Sequence, residues 1–156
     1  MKPRLRPANP ANTASKERLR LWLRVLTVHR RIEAQLRERL RLEFGTTLPR
    51  FDVLAALYRV PEGMKMSELS RKLIVSNGNV TGIVDRLADD GFVLREAVPE
   101  DRRAARVKLT QKGFREFAEQ AEAHENWVSE LLSGVDEENA ANTAHMLQAA
   151  LTLNAN

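Results

Sequence analysis

The chain has 156 residues, 43% of them apolar and 29% charged, which is enough for one domain to bury a core without covalent staples. It has no cysteine, which excludes disulfides, zinc–thiolate sites, iron–sulfur clusters and thiol redox sensing. The net charge of +4 hides a gradient, because residues 1–60 carry +9, 61–113 carry +2 and 114–156 carry −7, so one surface is expected to meet a polyanion.

Residues 1–15 hold three prolines and no periodicity, and read as a flexible basic arm. A helix follows from Lys16 to about Phe44, with Leu19, Trp22, Leu26, His29, Ile32, Leu36 and Leu40 at three- and four-residue steps. Gly45 stops it. A second helix is expected from Pro49 to Arg59, ended by Pro61-Glu62-Gly63. Ser67 is placed as the N-cap of a short helix over Glu68–Leu73, and Ile74-Val75-Ser76 makes a turn. Ser76 then caps a helix to about Asp90, with Val80, Ile83, Val84 and Leu87 on its apolar stripe and Gly91 as C-cap.

The period then drops to two. Phe92–Val98 and Arg106–Thr110 read as strands joined by an exposed connection, Pro99–Arg103. Thr110 caps a long helix with Phe114, Phe117, Ala121, His124, Val128, Leu131 and Leu132 on one face. Gly134 interrupts it, and a last helix runs from about Asp136 to Leu153. The fold class is therefore mainly α with a small β-wing. Residues 16–153 form one domain, in which 49–113 read as a winged helix-turn-helix.

The chemistry of the helix after Ser76 favours DNA reading. Opposite its apolar stripe lie Gly78, Gly82 and Asp85, flanked by Asn79, Thr81 and Arg86. Each interior glycine costs about 1 kcal/mol relative to alanine, a loss that makes sense where a backbone must approach a groove closely. Ser76, Asn77 and Asn79 occupy the first turn, the part of a recognition helix that reaches base edges, and asparagine suits bidentate pairing with adenine.

The segment SELSRKLIVSNGNVTGIVDRLADDGFVLREAVPEDRRAARVKLTQKG resembles the DNA-binding core of the MarR family of bacterial regulators. The motifs that carry the likeness are S-E-L, V-x-x-x-V-D-R-L, the Gly-aromatic-Val start of the wing, the D-R-R tip and V-x-L-T-x-x-G. Together with the flanking helices it spans about residues 16–153. The resemblance implies a homodimer built from the helices of 16–44 and 114–153, set on a palindromic operator with half-sites ~10 bp apart. It implies that Arg103 enters the minor groove, positioned by Asp101, while Arg102 meets phosphate. Arg95 on the first wing strand joins this DNA-facing set.

FGTTLPRFDVLAALYR together with MSELSRKLIVSNGNVTGIVDRL is also similar to the branch of the family that controls aromatic-acid catabolism, including hydroxycinnamate regulators that respond to aromatic acyl-CoA thioesters. Arg50 departs from the wider family, where glutamine commonly precedes the aromatic residue. Trp22, Leu26, His29, Arg30, Arg50 and Phe51 are the candidates for an effector site between the dimerisation helices and the second helix. Trp22 and His29 read first as packing residues, His29 in the core or dimer interface, with the effector role as the sharper alternative. Most arginines of residues 16–44 read as a solvated face pairing with glutamates at i, i+4; some could hold the phosphates of an anionic effector.

Three histidines, at 29, 124 and 145, without an H-x-x-x-H pair give no expected metal site. Catalytic motifs are missing, so no enzyme and no cofactor are expected. No apolar run approaches the ~20 residues of a membrane span, and the N-terminus does not read as a signal peptide, so a cytoplasmic location is expected. The function indicated is a ligand-responsive, homodimeric DNA-binding repressor. An architectural DNA-binding protein without sequence preference, or a winged-helix protein-interaction module, are the alternatives.

Overall fold

The computed structural model describes residues 10–73, 77–99 and 101–153; at 10–12, 77, 78, 102 and 103 it describes the backbone alone. The described elements run α1 (Pro10–Phe44), α2 (Leu48–Tyr58), β1 (Met64–Lys65), α3 (Met66–Leu73), α4 (Asn77–Asp89), β2 (Val93–Val98), β3 (Asp101–Leu109), α5 (Gln111–Leu131) and α6 (Glu137–Leu153). The three strands form one antiparallel sheet in the order β1-β3-β2. The architecture is thus mainly helical with a small sheet, as the change of period indicates.

The core lies where α2, α4 and the sheet meet the C-terminal half of α1 and the middle of α5. Leu40, Leu54, Leu57, Leu69, Val80, Val84, Leu87 and Val107 are almost fully enclosed. Leu36 and Leu40 supply the anchoring stripe of α1, whereas Leu19, Leu21, Trp22 and Leu23 at its other end are more than half exposed. Helix α6 has no buried residue at all.

Several boundaries differ from those expected, each for a local reason. Helix α1 begins at Pro10, so the irregular arm read over 1–15 is corrected from that residue onward. Proline is well suited to a first helical turn, which needs no N–H from it, and Ala11 and Ala14 favour the helix. Helix α2 starts one residue earlier, with Thr47 accepting the Arg50 backbone N–H. Ser67 is not the cap of α3 but lies in its first turn; Glu68 reaches back to the Lys65 N–H at 2.9 Å, one half of a capping box. Strand β1, only two residues long, pairs Met64 with Val107 and Lys65 with Arg106, and is too short for periodicity to reveal.

The wing also departs from expectation. Strand β3 begins at Asp101, which pairs with Val98, so the connection is tighter than Pro99–Arg103. The register jumps from Ala97–Ala105 to Val98–Asp101, leaving 102–104 without partners on β2. Such a bulge re-aims a strand near its tip.

Helix α5 presents a slightly rotated face. Phe117, Gln120 and Trp127 are buried, while Phe114 is 48% exposed. Its start explains the L-T-x-x-G sequence. Thr110 accepts the Gly113 N–H at 3.0 Å and donates its hydroxyl to the Gly91 carbonyl at 2.6 Å. A Cβ at Gly113 would stand 1.9 Å from the Phe92 carbonyl oxygen, so only glycine permits this approach.

Candidate nucleic-acid interface

Helix α4 is amphipathic in a way that fixes which side is free. Val80, Val84 and Leu87 are fully buried and Ile83 packs against them. Asn79, Thr81, Gly82, Asp85 and Arg86 are exposed together on the opposite side. The spacing read from sequence therefore gathers these polar residues on one surface. Its C-terminus closes in a Schellman motif, in which Gly91 at φ +76° lets Phe92 donate to the Leu87 carbonyl and Gly91 to that of Ala88, both at 2.9 Å.

Gly82 carries the most information on this surface. A Cβ built there meets nothing within 4 Å among the described residues, so no contact with them requires a glycine. Its helix-weakening cost is therefore not offset by internal packing. Ser76 lies outside the described residues, and for Asn77 and Gly78 only the backbone is described, at the start of α4.

The wing is tied to this helix. Arg95 on β2 places Nη2 2.7 Å from the Asp85 carboxylate, so one of the expected DNA-facing arginines is held by α4. Asp101 is exposed at the tip. The side chains of Arg102 and Arg103 lie outside the description, and their backbone falls in the bulge of β3. Behind the tip, Lys108 pairs with Glu96, and Arg106 donates to the Glu62 carbonyl at 3.3 Å. These links brace the base of the wing against the turn that precedes β1.

The residues expected around an effector are not all brought together in the single chain. Trp22 is 55% exposed, Leu26 is half-buried, and His29 and Arg30 are exposed, all on the part of α1 before its core stripe. The Nδ1 of His29 lies 3.7 Å from Glu33, whose carboxyl is held below its usual range chiefly by its hydrogen bond from Arg37. Phe51 is a core ring, stacked on His124 with centroids 4.6 Å apart and tilted against Phe117 at 5.4 Å. Arg50 turns the other way and forms an ion pair with Asp90 at the end of α4.

Sequence spacing gave no sign of that pair, nor of the two-pronged contact from Arg39 on α1 to Glu130 on α5, at 2.7 and 3.1 Å. Among the described residues no group of three His, Cys, Asp or Glu side chains is placed to hold a metal ion. No described helix is long and apolar enough to cross a membrane.

Known proteins share this arrangement. The sequence model of the MarR family matches residues 46–105, from the turn before α2 through most of the wing. A MarR family transcriptional regulator from Silicibacter pomeroyi is 34% identical, with a TM-score of 0.75 over 89% of this chain and 96% of that one. A mutant MarR from E. coli complexed with operator DNA is 26% identical, with a TM-score of 0.75 over 86% of this chain and 96% of that one. The regulator PecS of Dickeya dadantii is 32% identical over 90 residues, 56% of this chain and 54% of that protein. The chain spans about half the length of the curated relatives it matches first. An identity of this size sustained over nearly the whole of a solved relative makes the chain a member of the MarR family of winged-helix transcriptional regulators.

Proposed function

We propose that the chain is a homodimeric repressor that binds a palindromic operator and is released by a small aromatic effector, either an aromatic carboxylate or an aromatic acyl-CoA. The observation that carries the DNA-binding part is the exposed face of α4, where Asn79, Thr81 and Arg86 surround a glycine that no internal contact requires. The E. coli relative has been solved in complex with operator DNA, which supports DNA as the ligand of this chain.

Dimerisation is supported by the apolar surface left on the terminal helices. Leu19, Trp22 and Leu23 of α1 and Met146, Leu151 and Leu153 of α6 are all more than half exposed. Helix α6 buries no residue in the single chain and so gains little from tertiary packing there, which supports a second copy as its cover. Two copies would then present two α4 helices to successive major grooves. The effector reading rests on the arginine-rich surface of α1 and on its aromatic and histidine residues Trp22 and His29. The reading places the protein in the cytoplasm with its operator.

The test is selection of bound sites from random DNA, followed by affinity and stoichiometry at several salt concentrations. A palindrome with half-sites about one turn apart, one dimer per site and a preference of roughly 10³ or more over random DNA is expected. Equal affinity for all sequences would identify an architectural protein. Binding without salt dependence, or none at all, would identify a protein-interaction module.

A further inference from the structure

The end of α4 carries charge of the wrong sign for a helix. The backbone dipole is negative there and favours cations, yet the sequence places Asp89 and Asp90 at the last helical residue and the one after it. Asp89 is exposed and makes no ion pair with a described residue. Asp90 is held from two other helices. Arg50 of α2 directs a guanidinium nitrogen to its carboxylate, and Lys112 of α5 donates to its backbone carbonyl at 2.7 Å. The Arg50 side chain is 21% exposed, so salt screens this tie less than it screens a pair on open surface. Val80, Val84 and Leu87 keep α4 against the core by non-directional apolar contact. A planar guanidinium also sets a direction.

We propose that Arg50, acting through Asp90, is a positioning residue for operator recognition: it fixes the tilt of α4 and so the place where Asn79 meets a base edge. This rests on the reading of α4 as the helix that enters the groove. From Asn79 to Asp90 is about 16 Å along the helix axis. A swing of about 10° at the anchored end moves Asn79 by about 3 Å, well beyond the ~0.5 Å within which a recognition group must be held. Neither member of the pair needs to touch DNA, since the tie lies at the end of α4 opposite the turn that carries Asn79.

The sign of Asp90 separates positioning from simple electrostatics. Removing an acid from a protein that binds a polyanion raises affinity where charge alone matters. Loss of the tie lowers it. Asp90→Asn leaves the carbonyl that Lys112 holds, so its effect reports the carboxylate.

The experiment measures binding of the full-length protein to its selected operator across a salt series, well below the melting temperature. The variants are Asp90→Asn, Arg50→Gln, the two together, and Asp89→Asn. Asp90→Asn and Arg50→Gln should each weaken binding about tenfold. The double variant should lose no more than either, because both remove one tie. Asp89→Asn should bind as tightly as the wild type or more tightly. The log–log salt slope of Arg50→Gln should match that of the wild type, since Arg50 neutralises no phosphate. In the free protein, residual dipolar couplings of the α4 amides against those of α2 should show the same change of tilt in both single variants. Unchanged or raised affinity in Asp90→Asn, an equal loss in Asp89→Asn, or additive losses in the double variant would each overturn the inference. So would a slope shallower by about one unit in Arg50→Gln, or an unmoved α4. A wild type that selects no DNA would overturn the proposed function instead, and the dipolar couplings would then decide the tilt on their own.

Discussion

Arg95 on the wing reaches back to Asp85 in the middle of α4, with Nη2 and Oδ1 2.7 Å apart, so the wing and α4 are held as one unit. Both side chains are substantially exposed, at 36% and 54%, and such a pair adds about 1 kcal/mol at most. Asp85→Asn should therefore lower the melting temperature by only about 2–4 °C or less. It should also release Arg95 toward phosphate and steepen the log–log salt dependence of DNA binding by about one unit. An unchanged slope would show that Arg95 does not reach the backbone.

Gly113 is demanded by packing. Alanine there would put a methyl group against the Phe92 carbonyl, which is fixed by its bond from the Thr110 N–H at 3.0 Å. Gly113→Ala should destabilise the domain by about 3 kcal/mol in urea unfolding. A loss below about 1 kcal/mol would mean that α5 can slide away from the start of the wing.

The contrast between Gly113 and Gly82, where a Cβ meets no described residue, shows what sequence could and could not reveal. The amphipathic period of α4, the Thr110 cap and the switch to strands were legible because each depends on neighbours within one element. Gly113 was legible only as part of a motif, since its reason lies in a carbonyl about 20 residues away. Arg39–Glu130, Arg50–Asp90 and the burial of Gln120 and Trp127 were not legible, because they depend on how separate helices dock. The bulge near the wing tip was hidden for a related reason: an alternating pattern does not say where pairing skips.

Burial holds the His124 imidazole below its ordinary value of 6.5. The folded chain thus binds this proton less readily than the unfolded one, and the stability linked to it is complete above about pH 6.5 and lost as pH falls toward the lowered value. His124→Phe keeps a ring against Phe51 and removes the titration. Between pH 7 and pH 5.5, roughly spanning that ordinary value, the wild type should lose stability relative to the variant in denaturant unfolding. Parallel pH profiles would contradict this.

Asn79 sits on the exposed face of α4 in its first turn. On selected DNA, Asn79→Ala should cost about 1–3 kcal/mol and relax preference at one base pair of each half-site. Uniform weakening across all site variants would assign Asn79 to phosphate instead.

The most direct test of α4 as the reading helix is Gly82→Ala, measured by unfolding and by DNA binding on the same preparation. Nothing within 4 Å among the described residues opposes the new methyl group. Alanine should therefore raise stability by about 1 kcal/mol, through helix propensity alone. Affinity for the selected operator should fall by about tenfold or more, because the methyl group holds the helix off the groove. Higher stability with undiminished operator affinity would contradict the assignment of this face to DNA.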